Sequence, residues 1–299
     1  EYGDEAEEAG DQSEEFGGKS TQAVQSLAGI LTSAGVVVMV KEIAQAFYEA
    51  SEAAAEYETY LAKVSTIADP AQASLSTISG EITALSMETG KAVTELSDAT
   101  YQALSAGVET ANAVSFAGTA TELAVGGFTT AATAVDVLTT ALNAYGLEAT
   151  YAENISDMLV TTQNLGKTTV DELASNMGRV IPLASAYGVE MDNLSSAYAV
   201  MTANGIATAE TTTYIKSMLN ELGTTSSTVA GVLMDETGMS FAELSEEGYS
   251  LGDVLDILGD SVDGNTTAFN ELWGSQEAGV GALSLYNAGA ERFNTVLDE

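Results

Sequence analysis

Apolar residues recur three and four apart along most of the chain: Leu75-Ile78-Ile82-Leu85, Val93-Leu96-Ala99-Ala103, Val135-Leu138-Leu142-Tyr145, Leu194-Tyr198-Met201 and Tyr214-Met218-Leu222. That spacing sets one stripe on a helix. No alternating run of β-branched residues competes with it, so the expected class is all-α. The clearest periodicity is earlier, where Val36, Val40, Ile43, Phe47, Ala50, Ala54, Tyr57, Leu61 and Val64 alternate four and three apart. Such a seam fits a coiled coil or long hairpin, with Val36, Val40, Ile43, Phe47, Tyr57 and Leu61 as the candidate oligomer contacts. It equally fits an amphipathic helix packed on its own domain.

Punctuation divides the rest. Asp69-Pro70 reads as an N-cap with Pro at the first helical position. Gly127, Gly146, Gly166, Gly188, Gly205 and Gly223 each follow a helical stretch, which predicts left-handed C-terminal caps, short turns and restarts. Pro182 should kink or divide the helix between Thr169 and Tyr187. Thr169-Val-Asp-Glu172 and Ser240-Phe-Ala-Glu243 read as capping boxes. These glycines, with Pro70 and Pro182, are the expected architectural residues. The architecture is then a long N-terminal helix or helical hairpin, followed by a compact array of short helices of about 12 to 16 residues ended by Gly. The expected segments are an acidic tail at 1–19, a long helical stretch at 20–68 and a globular multi-helix domain at 69–299.

Charge changes what such a fold can do. The chain carries 44 acidic and 8 basic residues, a formal charge of -36, with no His and no Cys. Phosphate neutralisation needs clustered Lys and Arg, so sequence-specific nucleic-acid binding is not expected. Triads with His, thiol nucleophiles and thiolate metal sites are ruled out by composition. Eight of the acids fall between Glu1 and Gly18 without a positive charge, a composition that repels itself and reads as an unfolded tail. From Ser20 to Val40 no residue is charged; that matches a membrane span in length, but its first half is polar.

Searches for chemistry end in ordinary turns. Leu165-Gly-Lys-Thr-Thr169 has the tail of a phosphate loop, but Thr161 stands where the first glycine belongs and no strand precedes it. Asp260-Ser-Val-Asp-Gly-Asn265 has no ligating side chain at Gly259 and an amide at Asn270 where a calcium loop needs a carboxylate. There Asn265 or Thr266 should cap the helix holding Leu272 and Trp273. With acids everywhere, no carboxylate pair stands out for glycoside hydrolysis. Trp273 is the sole tryptophan, and Tyr145, Tyr187, Tyr198 and Tyr214 fall on helix faces as core residues do. No catalytic, cofactor or metal-binding residue emerges, and no cofactor is expected.

The order of segments is nonetheless specific. GTATELAVGGFTTAATAVDVLTTALNAYGLEAT is followed by ENISDMLVTTQNLGKTTVDELASNMGRVIPLASAYGVEMDNLSSAYAVMTANGI, with VKEIAQAFYEASEAAAEYETYLAKVSTIAD upstream and GYSLGDVLDILGD downstream. This closely resembles the core region of tape measure proteins of long-tailed phages and prophages, from about Ser20 to the C-terminus. The resemblance implies a non-enzymatic structural virion protein held in a few copies in the tail-tube lumen after assembly in the host cytoplasm. It implies roles in tail length, tube assembly and genome ejection. The implied partners are the tail tube protein, tail assembly chaperones, distal tail or baseplate proteins and further copies of the chain. Such proteins are usually much longer, so the resemblance implies that this chain is a fragment or the product of a truncated gene. The alternatives are a membrane-active protein working through residues 20–40 and a tail-associated cell-wall hydrolase.

Overall fold

The computed structural model describes residues 54–288 and Phe293, and every regular element among them is a helix. The acidic run, the stretch from Ser20 to Val40 and the seam positions Val36, Val40, Ile43, Phe47 and Ala50 lie outside the described residues. The chain divides after Gly118 into two compact units.

The first unit holds a helical stretch at 54–65 (α1), Leu75–Thr89 (α2), Val93–Ser105 (α3), a 3-10 turn at Thr110–Asn112 and the start of Ala113–Gly126 (α4). Val64, Ala68, Leu75, Ile78, Ile82, Leu96 and Val114 form its core, with Tyr57 and Leu61 packed against it. Tyr57 Oη donates to the Ser79 carbonyl (3.2 Å) and lies 3.0 Å from Ser79 Oγ. The described end of the seam therefore faces its own unit, and this core lies on both sides of residue 68.

Pro70 does not begin a helix. Asp69 Oδ1 accepts from Ala71 N at 3.0 Å and its carbonyl from Gln72 N at 3.0 Å, closing a single turn. Ala71, Gln72 and Ala73 offer no apolar stripe to bury, so the turn does not propagate. The helix opens at Leu75, where the stripe resumes, with Ser74 Oγ accepting from Thr77 N at 3.1 Å.

The second unit runs from the rest of α4 through α5 (Ala131–Tyr145), α6 (Ala152–Leu165), α7 (Val170–Met177), α8 (Ile181–Ala186), α9 (Met191–Ala203) and α10 (Thr208–Gly223). It continues with α11 (Thr228–Thr237), α12 (Phe241–Glu246), α13 (Leu251–Asp260), α14 (Thr266–Glu271) and α15 (Gln276–Ala288). Several are shorter than expected, down to six residues in α8, α12 and α14. Pro182 divides its segment as expected, sitting in the first turn of α8, where a missing N–H leaves no helical bond unmade. Asn265 caps α14 through Thr267 N and Ala268 N, but that helix ends at Glu271, just short of Leu272 and Trp273.

α10 packs along α15, α6 along α9, and α5 against α7 and α8. Leu138, Leu159, Leu173, Met177, Ile181, Leu194, Tyr198, Met201 and Met218 are fully buried between them. Close approach is set by small residues: a Cβ on Gly281 of α15 would lie 2.9 Å from Tyr214 Cβ on α10. Several buried hydroxyls are satisfied within their own helices. Thr100, Thr139, Thr162 and Thr202 each donate to the carbonyl four residues back at 2.7 Å. Cores built this way need few buried charges.

Candidate functional site: the junction between α6 and α7

The Gly-Lys-Thr-Thr segment that resembled a phosphate loop is where five helices of the second unit are tied together. Gly166 ends α6 with extended backbone (φ -92°, ψ -176°) and donates to the Thr162 carbonyl at 2.9 Å. A Cβ there would lie 2.5 Å from Thr202 Oγ1 and 3.2 Å from the Ala199 Cα, so α9 sits directly against it. Lys167 N donates to the same Thr202 Oγ1 at 3.2 Å. Thr168 Oγ1 lies 2.8 Å from Thr208 Oγ1 at the start of α10, and Thr208 Oγ1 donates to Glu172 Oε2 at 2.8 Å. Thr169 Oγ1 accepts from Glu172 N at 3.2 Å, capping α7.

This corrects the expected capping box. Its first half is present, but the Glu172 carboxylate is held by Thr168 and Thr208 instead of the Thr169 backbone. One hydroxyl is local, on Thr168, and the other comes from the start of α10, and together they give the carboxylate two donors in place of one local N–H. Ser240 and Glu243 form the full box, and Glu243 has its carboxyl held below the usual range by hydrogen bonds from the Ser240 backbone and hydroxyl. Ser250 and Asp253 form a second full box that the sequence reading missed; the Ser-x-x-Asp spacing was its signal.

The junction cannot cradle a phosphate. Three of its N–H groups are already engaged: Gly166 with Thr162, Lys167 with Thr202, and Val170 with Gln163 Oε1 at 2.8 Å. Val170 then carries the ties to the turn after α4. A Cβ on Gly127 would lie 2.4 Å from Val170 Cβ, Gln163 Nε2 donates to the Gly126 carbonyl at 3.4 Å, and Thr129 Oγ1 donates to Asp171 Oδ1 at 2.7 Å.

The six singled-out glycines fall into two groups. Gly146, Gly188 and Gly205 have the expected left-handed backbone, with φ of 64°, 74° and 92°. Gly127, Gly166 and Gly223 do not, and their Cβ positions are occupied by neighbours instead; for Gly223 the Tyr187 ring lies 2.1 Å away. At the α4–α5 turn the left-handed residue is Phe128 (φ 55°), whose ring is 84% exposed. Glycine is required one position earlier for packing, so the strained conformation falls on the next residue.

The tyrosines serve packing. Tyr198 is fully buried with its hydroxyl 2.7 Å from Thr212 Oγ1, and burial pushes its pKa up. Tyr145, raised chiefly by burial, donates to the Val189 carbonyl at 2.9 Å. Trp273 is buried beside Phe269, which stacks on Tyr286 at 4.7 Å. Among the described residues no group of three carboxylates converges as metal ligands would, and no single helix is long and apolar enough to cross a membrane.

A family model described as phage-related minor tail protein matches residues 79–274, which include the whole junction. The chain belongs to that phage-tail family. A curated relative from Clostridium phage phiCD119, named probable tape measure protein, is 31% identical over 294 residues, covering 95% of this chain and 30% of the relative. The chain therefore spans about 30% of the length of the curated relative it matches. No solved structure matches it. The family makes the chain a structural component of phage tails, and the matched region includes the junction that ties the helices together.

Proposed function

We propose that this chain is the folded part of a tape measure protein, a non-enzymatic tail component that positions itself in the tube lumen while a separate extended helix sets length. The observation that supports this reading is the coincidence of the family match with the α6–α7 junction, whose polar groups are consumed by architecture. A helix rises about 1.5 Å per residue, so a residue-for-length ruler must be extended. The described helices are no longer than 16 residues and fold back on one another within each unit. Length measurement on this reading falls to helical parts of the longer protein outside the folded units. The folded part would contact tube protein, assembly chaperones, the distal tail or further copies.

In-frame deletions in the encoding phage test this. Removing extended helix should shorten tails by about 1.5 Å per residue. Gly127→Ala, which disrupts the folded part, should reduce the number of tails without changing the length of those made. Unchanged length after the helical deletions would end the ruler reading.

A further inference from the structure

The groove between α6 and α9 has a volume of about 240 Å³, and among its lining residues are Asp157, Met158 and Leu165 from α6 and Asp192, Ser195 and Ala199 from α9. Ser195 and Thr211 are the two buried hydroxyls among the described residues that lack a hydrogen-bond partner, and of the two only Ser195 lines this groove. It is 5% exposed, yet its Oγ has no hydrogen-bond partner, although the Met191 carbonyl lies one turn back as for the threonines. A buried hydroxyl left unpaired is costly unless something outside the fold completes it. Asp192 Oδ1 accepts from Asn193 N and Nδ2, while neither Asp157 nor Asp192 pairs with a cation among the described residues. Gly166 meets Ala199 and Thr202, so the two helices run side by side in the same direction, with the carboxylates at one end of the groove and Leu165 and Ala199 at the other.

We propose that this groove receives a lysine side chain from a basic segment of a partner protein. An ammonium has three donors and no acceptor, which matches two carboxylates and one hydroxyl oxygen. Its aliphatic stem matches the apolar end formed by Leu165 and Ala199. Arginine fits less well, because a planar five-donor fork would leave donors unpaired here. The charge of -36 steers a basic partner toward this surface. This inference does not depend on the ruler reading.

The test uses the full chain, labelled with nitrogen-15, titrated with Nα-acetyl-lysine methylamide and with its norleucine and arginine counterparts at constant ionic strength. The lysine probe should give saturable amide shifts confined to residues 154–165 and 191–199, at least fivefold tighter than the other two. Asp157→Asn should weaken it about tenfold and Ser195→Ala about threefold. Ser195→Ala should also hold or raise the melting temperature, since it removes an unpaired buried hydroxyl; a merely structural serine would lower it. Equal binding of the norleucine probe, shifts spread over all acidic surfaces, or undiminished binding by Ser195→Ala would each overturn the proposal. So would concentration-dependent shifts of the same residues without probe, which would assign the groove to a second copy.

Discussion

The turn after α5 and the turn after α6 both place glycine behind a helix-ending apolar or aromatic residue, Tyr145-Gly146 in one and Leu165-Gly166 in the other. At Gly146 the backbone is left-handed and nothing lies within 4 Å of where a Cβ would stand. At Gly166 the backbone is one any residue adopts, and the space for a Cβ is taken by Thr202. One glycine is needed for its own conformation, the other for its neighbour's position. The first kind ends a helix; the second joins helices from distant parts of the chain.

Substitutions should separate the two kinds. Gly127→Ala is expected to be the most damaging, by about 3 kcal/mol or more in urea unfolding, since Val170 is fully buried and has nowhere to move. Combining it with Val170→Ala should recover part of that loss, as a double-mutant cycle would show. Gly223→Ala meets the half-buried Tyr187 ring, which can swing aside, so its cost should be smaller than that of Gly127→Ala. Thr208→Val removes a hydroxyl at a buried position from the exposed Glu172 carboxylate and should cost about 1 kcal/mol.

Gly146→Ala forces a side chain into left-handed backbone and should cost about 1 kcal/mol. The opposite exchange, Phe128→Gly, should stabilise the chain by about 1 kcal/mol by relieving the same strain. The smallest effect concerns Asp256, whose carboxyl is pushed up by partial burial, then by Asp260 and Asp253. Its folded-state pKa lies above the unfolded value, so the protonated form favours folding and stability rises as pH falls through that raised value. Asp256→Asn should remove this dependence and add a few tenths of a kcal/mol at neutral pH, with solvent screening keeping the gain small.

The stripes and caps were legible because their causes are local. Leu138, Tyr198 and Met218 are buried where the three-and-four spacing put them, and Pro182 divides its segment as its ring geometry requires. What could not be read was set by partners far along the chain. Nothing near Gly166 announces Thr202, and nothing near Glu172 announces Thr208, each about 36 positions away. The helix start at Pro70 failed for a related reason: a cap was present without an apolar stripe to bury. Ser195 was invisible as a site because a serine on a buried helix normally bonds its own backbone.

The residues of the α6–α7 junction, which lie inside the region matched by the tail family, act by packing helices. Urea unfolding of Gly166→Ala, Gly146→Ala and the double variant Gly166→Ala with Thr202→Ala, all in the full chain, tests this most directly. Gly166→Ala should cost at least about 2 kcal/mol more than Gly146→Ala, and removing the Thr202 hydroxyl should restore part of the difference. Equal costs for the two single variants, with no recovery in the double, would contradict this.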